Sequence, residues 1–169
     1  MKKHISLTGY GAGRSTSVDS LTSNLIELLS AMKLDGRTLI ALAEFSDHRY
    51  VQHYVSSDGD VIGEVISNLN IGTATALSPE DEDALRALNF NEPAPGPNPN
   101  WWLHAAPDDE IISMVTTMRR AIYEVLGELP GNEATVSTWE VGNHQRWSGS
   151  DAREFLRVYV GKEKGEFND

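Results

Sequence analysis

Three strand-like runs follow one another with barely room to turn between them, and this restricts the fold more than any other feature. They are Arg37–Phe45 (RTLIALAEF), Arg49–Ser56 (RYVQHYVS) and Val61–Ser67 (VIGEVIS). The first link is the polar Ser46-Asp47-His48, and the second contains Asp58-Gly59, where glycine accepts the positive φ of a tight hairpin. A parallel crossover needs a dozen or more residues, so links this short predict an antiparallel three-stranded meander. In the second run Tyr50, Gln52 and Tyr54 alternate with Val51, His53 and Val55. One face of the meander therefore packs on helices, and the other, carrying Tyr50 and Tyr54, is either a binding surface or the edge of the core.

Helical signals surround these strands. Ser17 is placed to cap a first helix over Val18–Lys33, whose Val18, Leu21, Leu25, Leu28, Leu29 and Met32 recur at three- and four-residue steps. Gly36 ends it. Ser78-Pro79, followed by Glu80-Asp81-Glu82-Asp83, opens a second, short helix with Leu85 and Leu88 along one edge. This acidic run reads as a start signal, because a calcium loop needs alternating ligands and a central glycine. A third, longer helix is expected from Pro107, with Asp108, Asp109 and Glu110 in its first turn. Ile111, Val115, Met118, Ile122 and Val125 form its stripe, and Gly127 ends it after Leu126.

Between the second and third helices lies Asn91–Asn100 (NEPAPGPNPN), which holds four of the seven prolines and predicts an ordered loop. Trp101 and Trp102 follow it. Adjacent residues of an extended segment point to opposite sides, so one tryptophan is expected inside and the other more accessible. The pair either anchors the loop, each indole N–H finding a partner, or contacts a ligand. Ala134–Val141 (ATVSTWEV) reads as a further strand, and His144–Trp147 as irregular or a short strand. Glu154–Val160 (EFLRVYV) has the β-branched and aromatic content of a strand, while Ser150 and Gly161 stand where they would cap a helix. The expected organisation is a flexible lead-in over residues 1–17, one α+β domain over 18–160, and a frayed tail over 161–169.

The 14 Lys+Arg against 25 Asp+Glu give a net charge of −11. An acidic surface repels phosphate backbones, so a nucleic-acid partner is not expected, whereas a basic protein is a natural one. No stretch approaches the ~18 apolar residues of a membrane helix, and no membrane partner is expected. The chain has no cysteine, which excludes disulfide and thiol chemistry and fits a cytoplasmic location. The GYGAGR stretch at residues 9–14 lacks the GK[ST] ending of a phosphate loop. His4, His48, His53, His104 and His144 form no HxxxH or HExxH pair, and no GxSxG element is present. His104 has Asp108 close by in sequence. No catalytic residues, metal site or cofactor is expected, and the chain is read as a non-enzyme.

The order of the pieces resembles a known family. RYVQHYVSSDGDVIGEVISN (Arg49–Asn68), LSPEDEDALRALNF (Leu77–Phe90), NPNWW (Asn98–Trp102) and the helix that follows to Leu126 are similar to the TY-Chap domains of actinobacteria. These are peptide-binding chaperones related to YbjN and to type III secretion chaperones such as CesT. The resemblance spans about Val18 to Val141. It implies a secretion-chaperone-like α+β fold, an antiparallel meander packed against helices, that binds an extended segment of a protein or peptide client without chemistry. Such chaperones are small, acidic and often dimeric, so a homodimer is among the expected assemblies. Tyr50, Tyr54, Trp101 and Trp102 are the candidate client contacts. The alternative is an acidic immunity-type protein that inhibits a basic toxin or enzyme through the carboxylates of Glu80–Asp83 and Asp108–Glu110.

Overall fold

The computed structural model describes residues 14–69, 75–93 and 99–141. The meander is β2 (Leu39–Phe45), β3 (Tyr50–Val55) and β4 (Val61–Val65), antiparallel throughout. His48 (φ 66°) turns the first link and Gly59 (φ 96°) the second, where its N–H donates to the Ser56 carbonyl at 3.0 Å. Three further strands complete the sheet. β5 (Trp101–Ala105) pairs with β4, β6 (Glu133–Glu140) pairs with β2, and β1 (Arg14–Ser17) closes the far edge against β6. The order is β1-β6-β2-β3-β4-β5. The α+β class and the meander are as expected from the sequence.

The register divides the strand residues between two faces. Leu39, Ala41, Ala43 and Phe45 of β2 align with Val55, His53 and Val51 of β3, with Val61, Gly63 and Val65 of β4, and with Trp101, Leu103 and Ala105 of β5. These residues face the helices: α1 (Val18–Ser23), α2 (Leu25–Asp35), α3 (Pro79–Ala87) and α4 (Ile111–Arg120). Val18, Leu29 and Met32, Leu85, and Val115 and Met118 join them in one buried core. The opposite, distal face carries Ile40, Leu42, Glu44, Tyr50, Gln52, Tyr54, Ile62, Glu64, Trp102 and His104.

Several expectations are corrected. Arg14–Ser17, the end of the expected lead-in, is an edge strand held by β6, and the Ser17 side chain caps α1 by accepting from Ser20 N at 3.1 Å. The single helix expected over Val18–Lys33 breaks at Asn24. Its backbone leaves the helical region there (φ −103°, ψ 3°), while its N–H, at 3.1 Å, and its side-chain amide, at 2.8 Å, both donate to the Ser20 carbonyl. The third helix begins at Ile111, not Pro107, because Asp109 closes a turn by accepting from Ala106 N at 2.8 Å. Its last turn, Ala121–Val125, widens to a π-helical turn, with Leu126 N donating to Ala121 O at 2.9 Å. Gly127 (φ 67°) ends it as expected. The Ser78 cap is realised in full, since Asp81 N donates to Ser78 Oγ at 3.1 Å and Ser78 N to the Asp81 carboxylate at 2.9 Å.

The expectations for residues 1–13, for Ala94–Asn98 of the proline loop, for His144–Trp147 and Glu154–Val160, and for the tail at 161–169 lie outside the described residues. Among the described residues, no helix is long and apolar enough to cross a membrane.

Candidate binding face

The distal face is built by alternation along four strands, so its chemistry follows from every second residue. Tyr50 and Tyr54 of β3 stand on it with Gln52 between them, both half-buried. Trp102 of β5 lies on the same face, beside Glu64, and is 36% exposed. Three of the four aromatic residues expected to meet a client thus share one surface. The fourth does not: Trp101 is 2% exposed and packs in the core under the helices, with the Arg86 guanidinium 5.4 Å from its ring centroid. The expectation that one tryptophan is inside and one accessible is met. The expectation that each indole N–H finds a partner is not met for Trp101, whose Nε1 has no acceptor among the described residues.

Between the aromatic residues lies a polar cluster. Gln52 Nε2 donates to the Glu64 carboxylate, and Asn100 Nδ2 donates to the same oxygen at 3.4 Å and to the Tyr50 hydroxyl at 3.3 Å. Gln52, Glu64 and Asn100 are all buried. Ser67 Oγ donates to the Pro99 carbonyl, tying the end of the proline loop beside the cluster. On the other side of that loop, Asn91 exchanges two backbone hydrogen bonds with Trp102, at 2.9 and 3.2 Å. A buried carboxylate is costly without strong donors, so this cluster fixes the conformation of the corner where β3, β4 and β5 meet. One sign of it was present in the sequence: Glu64 interrupts the apolar run VIGEVI, and Gln52 sits inside an otherwise aromatic and β-branched strand.

At the opposite end of the face, burial pushes the Tyr54 phenol above its ordinary pKa. A hydrogen bond with Thr38 opposes this, and the carboxylates of Asp60 and Asp58 reinforce it. The Tyr54 hydroxyl is therefore protonated at neutral pH and can donate a hydrogen bond. His104 pairs with Asp60, Nε2 to Oδ1 at 2.8 Å, and not with Asp108 as its position in sequence suggested. The acidic runs have local structural tasks. Asp81 closes the capping box, Asp83 pairs with Arg86 at 2.7 Å, and Asp109 holds the turn before α4.

The helix side exposes apolar residues of its own, Ile26 and Leu34 on α2 and Ile112 on α4. A small apolar cleft there, between α1–α2 and the sheet, is lined by Leu21, Leu25, Val51, His53, Ile122 and Val136. His53 is buried in it and burial lowers its pKa to about 4, so it is neutral, and its Nε2 has no hydrogen-bond partner. Among the described residues, no three His, Asp or Glu side chains converge on a point where a metal ion would sit.

Compared with known families, the chain matches the model of TY-Chap3, described as the T3SS (YopN, CesT) and YbjN peptide-binding chaperone 3, over residues 19–130. No curated protein and no solved structure matches the chain significantly. The matched stretch takes in the four helices, the meander and β5, and so contains the whole aromatic part of the distal face apart from the strands at the β6 edge.

Proposed function

Because the chain belongs to the TY-Chap3 family of peptide-binding chaperones, we propose that it is a non-enzymatic chaperone or adaptor whose distal sheet face receives an extended segment of a client protein. The observation that carries this reading is that Tyr50, Tyr54 and Trp102 share the face opposite the helices. Aromatic side chains supply large contact area together with a polar handle, which suits clients of varied sequence. Trp101 belongs to the support of that face and not to the contact.

The cysteine-free sequence favours a cytoplasmic setting, and we extend the reading to a homodimer and to clients from secretion or conflict systems on the family likeness alone. Binding of a basic toxin in the manner of an immunity protein is the alternative. The net charge of −11 is what supports it, while Asp81, Asp83 and Asp109, three of the carboxylates that suggested it, are engaged in a helix cap, a local pair and a turn.

A photo-crosslinking amino acid at Tyr54 or at Trp102, in cells that make the protein, tests the site. Adducts with other proteins should form from both positions and not from Ile112, which is exposed on α4. Adducts from Ile112 alone would place the contact on the helices. Apolar capture should also persist in high salt, whereas docking through surface carboxylates should weaken steeply.

A further inference from the structure

His53 is a polar ring set between small neighbours. The register places Ala41 of β2 on one side of it and Gly63 of β4 on the other. On the Gly63 side the room is taken by the sulfurs of Met114 and Met118. On the Ala41 side it stays open, and this is the cleft under α1 and α2. Leu28 and Val136 line it and are only half-buried, so the cleft opens between them. Its empty space is about 270 Å³ including that mouth, and in this conformation it admits no more than a water-sized group. Two irregularities of the helical layer border it. The break at Asn24 stands between Leu21 and Leu25, which both line the cleft, and the π-helical turn contributes Ile122. The Thr22 hydroxyl and the Tyr123 phenol join these two places at 2.9 Å. A π turn within an α-helix frequently marks a functional site.

The polar accounting narrows what this cleft can hold. Apart from His53, every described residue that lines it is apolar, and His53 Nε2 has no hydrogen-bond partner. Leaving a buried polar atom unpaired is costly, so a group that pairs with it gains on binding. A buried water is held by roughly two to four polar partners, and the side chains here offer a single one. A molecule with an apolar body and one polar group matches that supply. In a neutral imidazole one ring nitrogen donates and the other accepts, and a hydroxyl, which does both, complements Nε2 in either tautomer.

We propose that the cleft binds a small uncharged molecule of the phenol or short-alcohol class, with its hydroxyl on His53 Nε2 and its apolar body among Leu25, Leu28 and Val136. Leu28, half-buried at the mouth, turns outward to admit the body. The site lies on the opposite side of the sheet from Tyr50, Tyr54 and Trp102. It therefore stands or falls separately from the client surface.

Phenol and toluene, its isostere without the hydroxyl, are the probes. Each is titrated into the full chain while methyl and imidazole NMR signals are followed. Phenol should give saturable shifts at the methyl groups of Leu25, Leu28 and Val136 and at the ring nitrogens of His53. It should bind about fivefold more tightly than toluene, the worth of one net hydrogen bond. His53→Leu should remove that preference and leave the two probes equal. Val136→Trp, which plugs the mouth and leaves His53 in place, should weaken both. Shifts that do not saturate, shifts centred on other residues, or equal affinity for phenol and toluene in the parent chain overturn the proposal. So does a preference for phenol that survives in His53→Leu, or unchanged binding in Val136→Trp. If either variant fails to fold, the other decides, together with the comparison of the two probes in the parent chain.

Discussion

Trp101 and Trp102 are adjacent in β5 yet belong to different environments, one sealed beneath the helices with Arg86 over its ring and the other on the distal face beside Glu64. Their substitutions should separate stability from binding. Trp101→Ala leaves a large cavity and should cost about 3–5 kcal/mol in denaturant unfolding. Trp101→Phe keeps most of the ring and removes the indole N–H that lacks an acceptor, so it should cost clearly less. Trp102→Ala should change stability by no more than about 1 kcal/mol, because the side chain is only partly withdrawn from water, while lowering client capture in pull-downs. Equal destabilisation by the two alanine variants would contradict this division.

His53 makes the fold acid-sensitive in a defined window. Burial lowers its pKa from 6.5 to about 4, so the folded chain keeps the ring neutral while the unfolded chain takes up a proton. A depressed folded-state value means that its stabilising contribution is complete above about pH 6.5 and is lost as pH falls toward about 4. Between pH 7 and 4.5 the shift is worth about 2–3 kcal/mol. His53→Leu should remove that part of the pH dependence, leaving the part due to carboxylates. Urea unfolding of both proteins at the two pH values measures the difference, and parallel losses in the two would show that His53 is not the source.

Much of the fold was written in short-range signals. The polar links and Asp58-Gly59 define the meander, Ser78 with Asp81 defines the start of α3, and the alternation of Trp101 and Trp102 assigns one to each face. The missing parts depend on distant partners or on the geometry of a single turn. Nothing local announces that β6 lies between β2 and β1, since those pairings join residues 89 or more apart. The break at Asn24 is a departure of one residue's backbone from helical angles, and the late start of α4 rests on Asp109 folding back to Ala106. At the candidate site the aromatic residues were legible as types, but the Gln52–Glu64–Asn100 cluster needed the register of three strands.

Gly63 faces α4 from β4, and a Cβ there would stand 3.0 Å from Met118 Sδ and 3.4 Å from Met114 Sδ. Both sulfurs belong to flexible, unbranched side chains that can shift by a few tenths of an ångström within the core. Gly63→Ala should therefore cost less than about 1 kcal/mol, and Gly63→Val, which overpacks the same contact, about 1–3 kcal/mol. Thermal melts should show that Met118→Ala, destabilising alone, is tolerated better in the Gly63→Val background than in the parent chain. Simple additivity would mean that the glycine is not selected by this contact.

Gln52 and Glu64 are coupled across β3 and β4 by a buried hydrogen bond. Removing one partner strands the other, so Gln52→Met and Glu64→Met should each destabilise the fold by about 1–3 kcal/mol. Once both are apolar the stranded group is gone, and the double variant should lose less than the sum by about 0.5 kcal/mol or more. A double-mutant cycle in denaturant unfolding measures this coupling. If the single losses add, the two side chains stabilise the corner independently, and Glu64 is held by its other neighbours, Asn100 among them. With coupling confirmed, the cluster is a rigid unit, and its variants should also alter the surface on which Tyr50 and Trp102 stand. Client capture should then fall in Gln52→Met although Gln52 itself is buried.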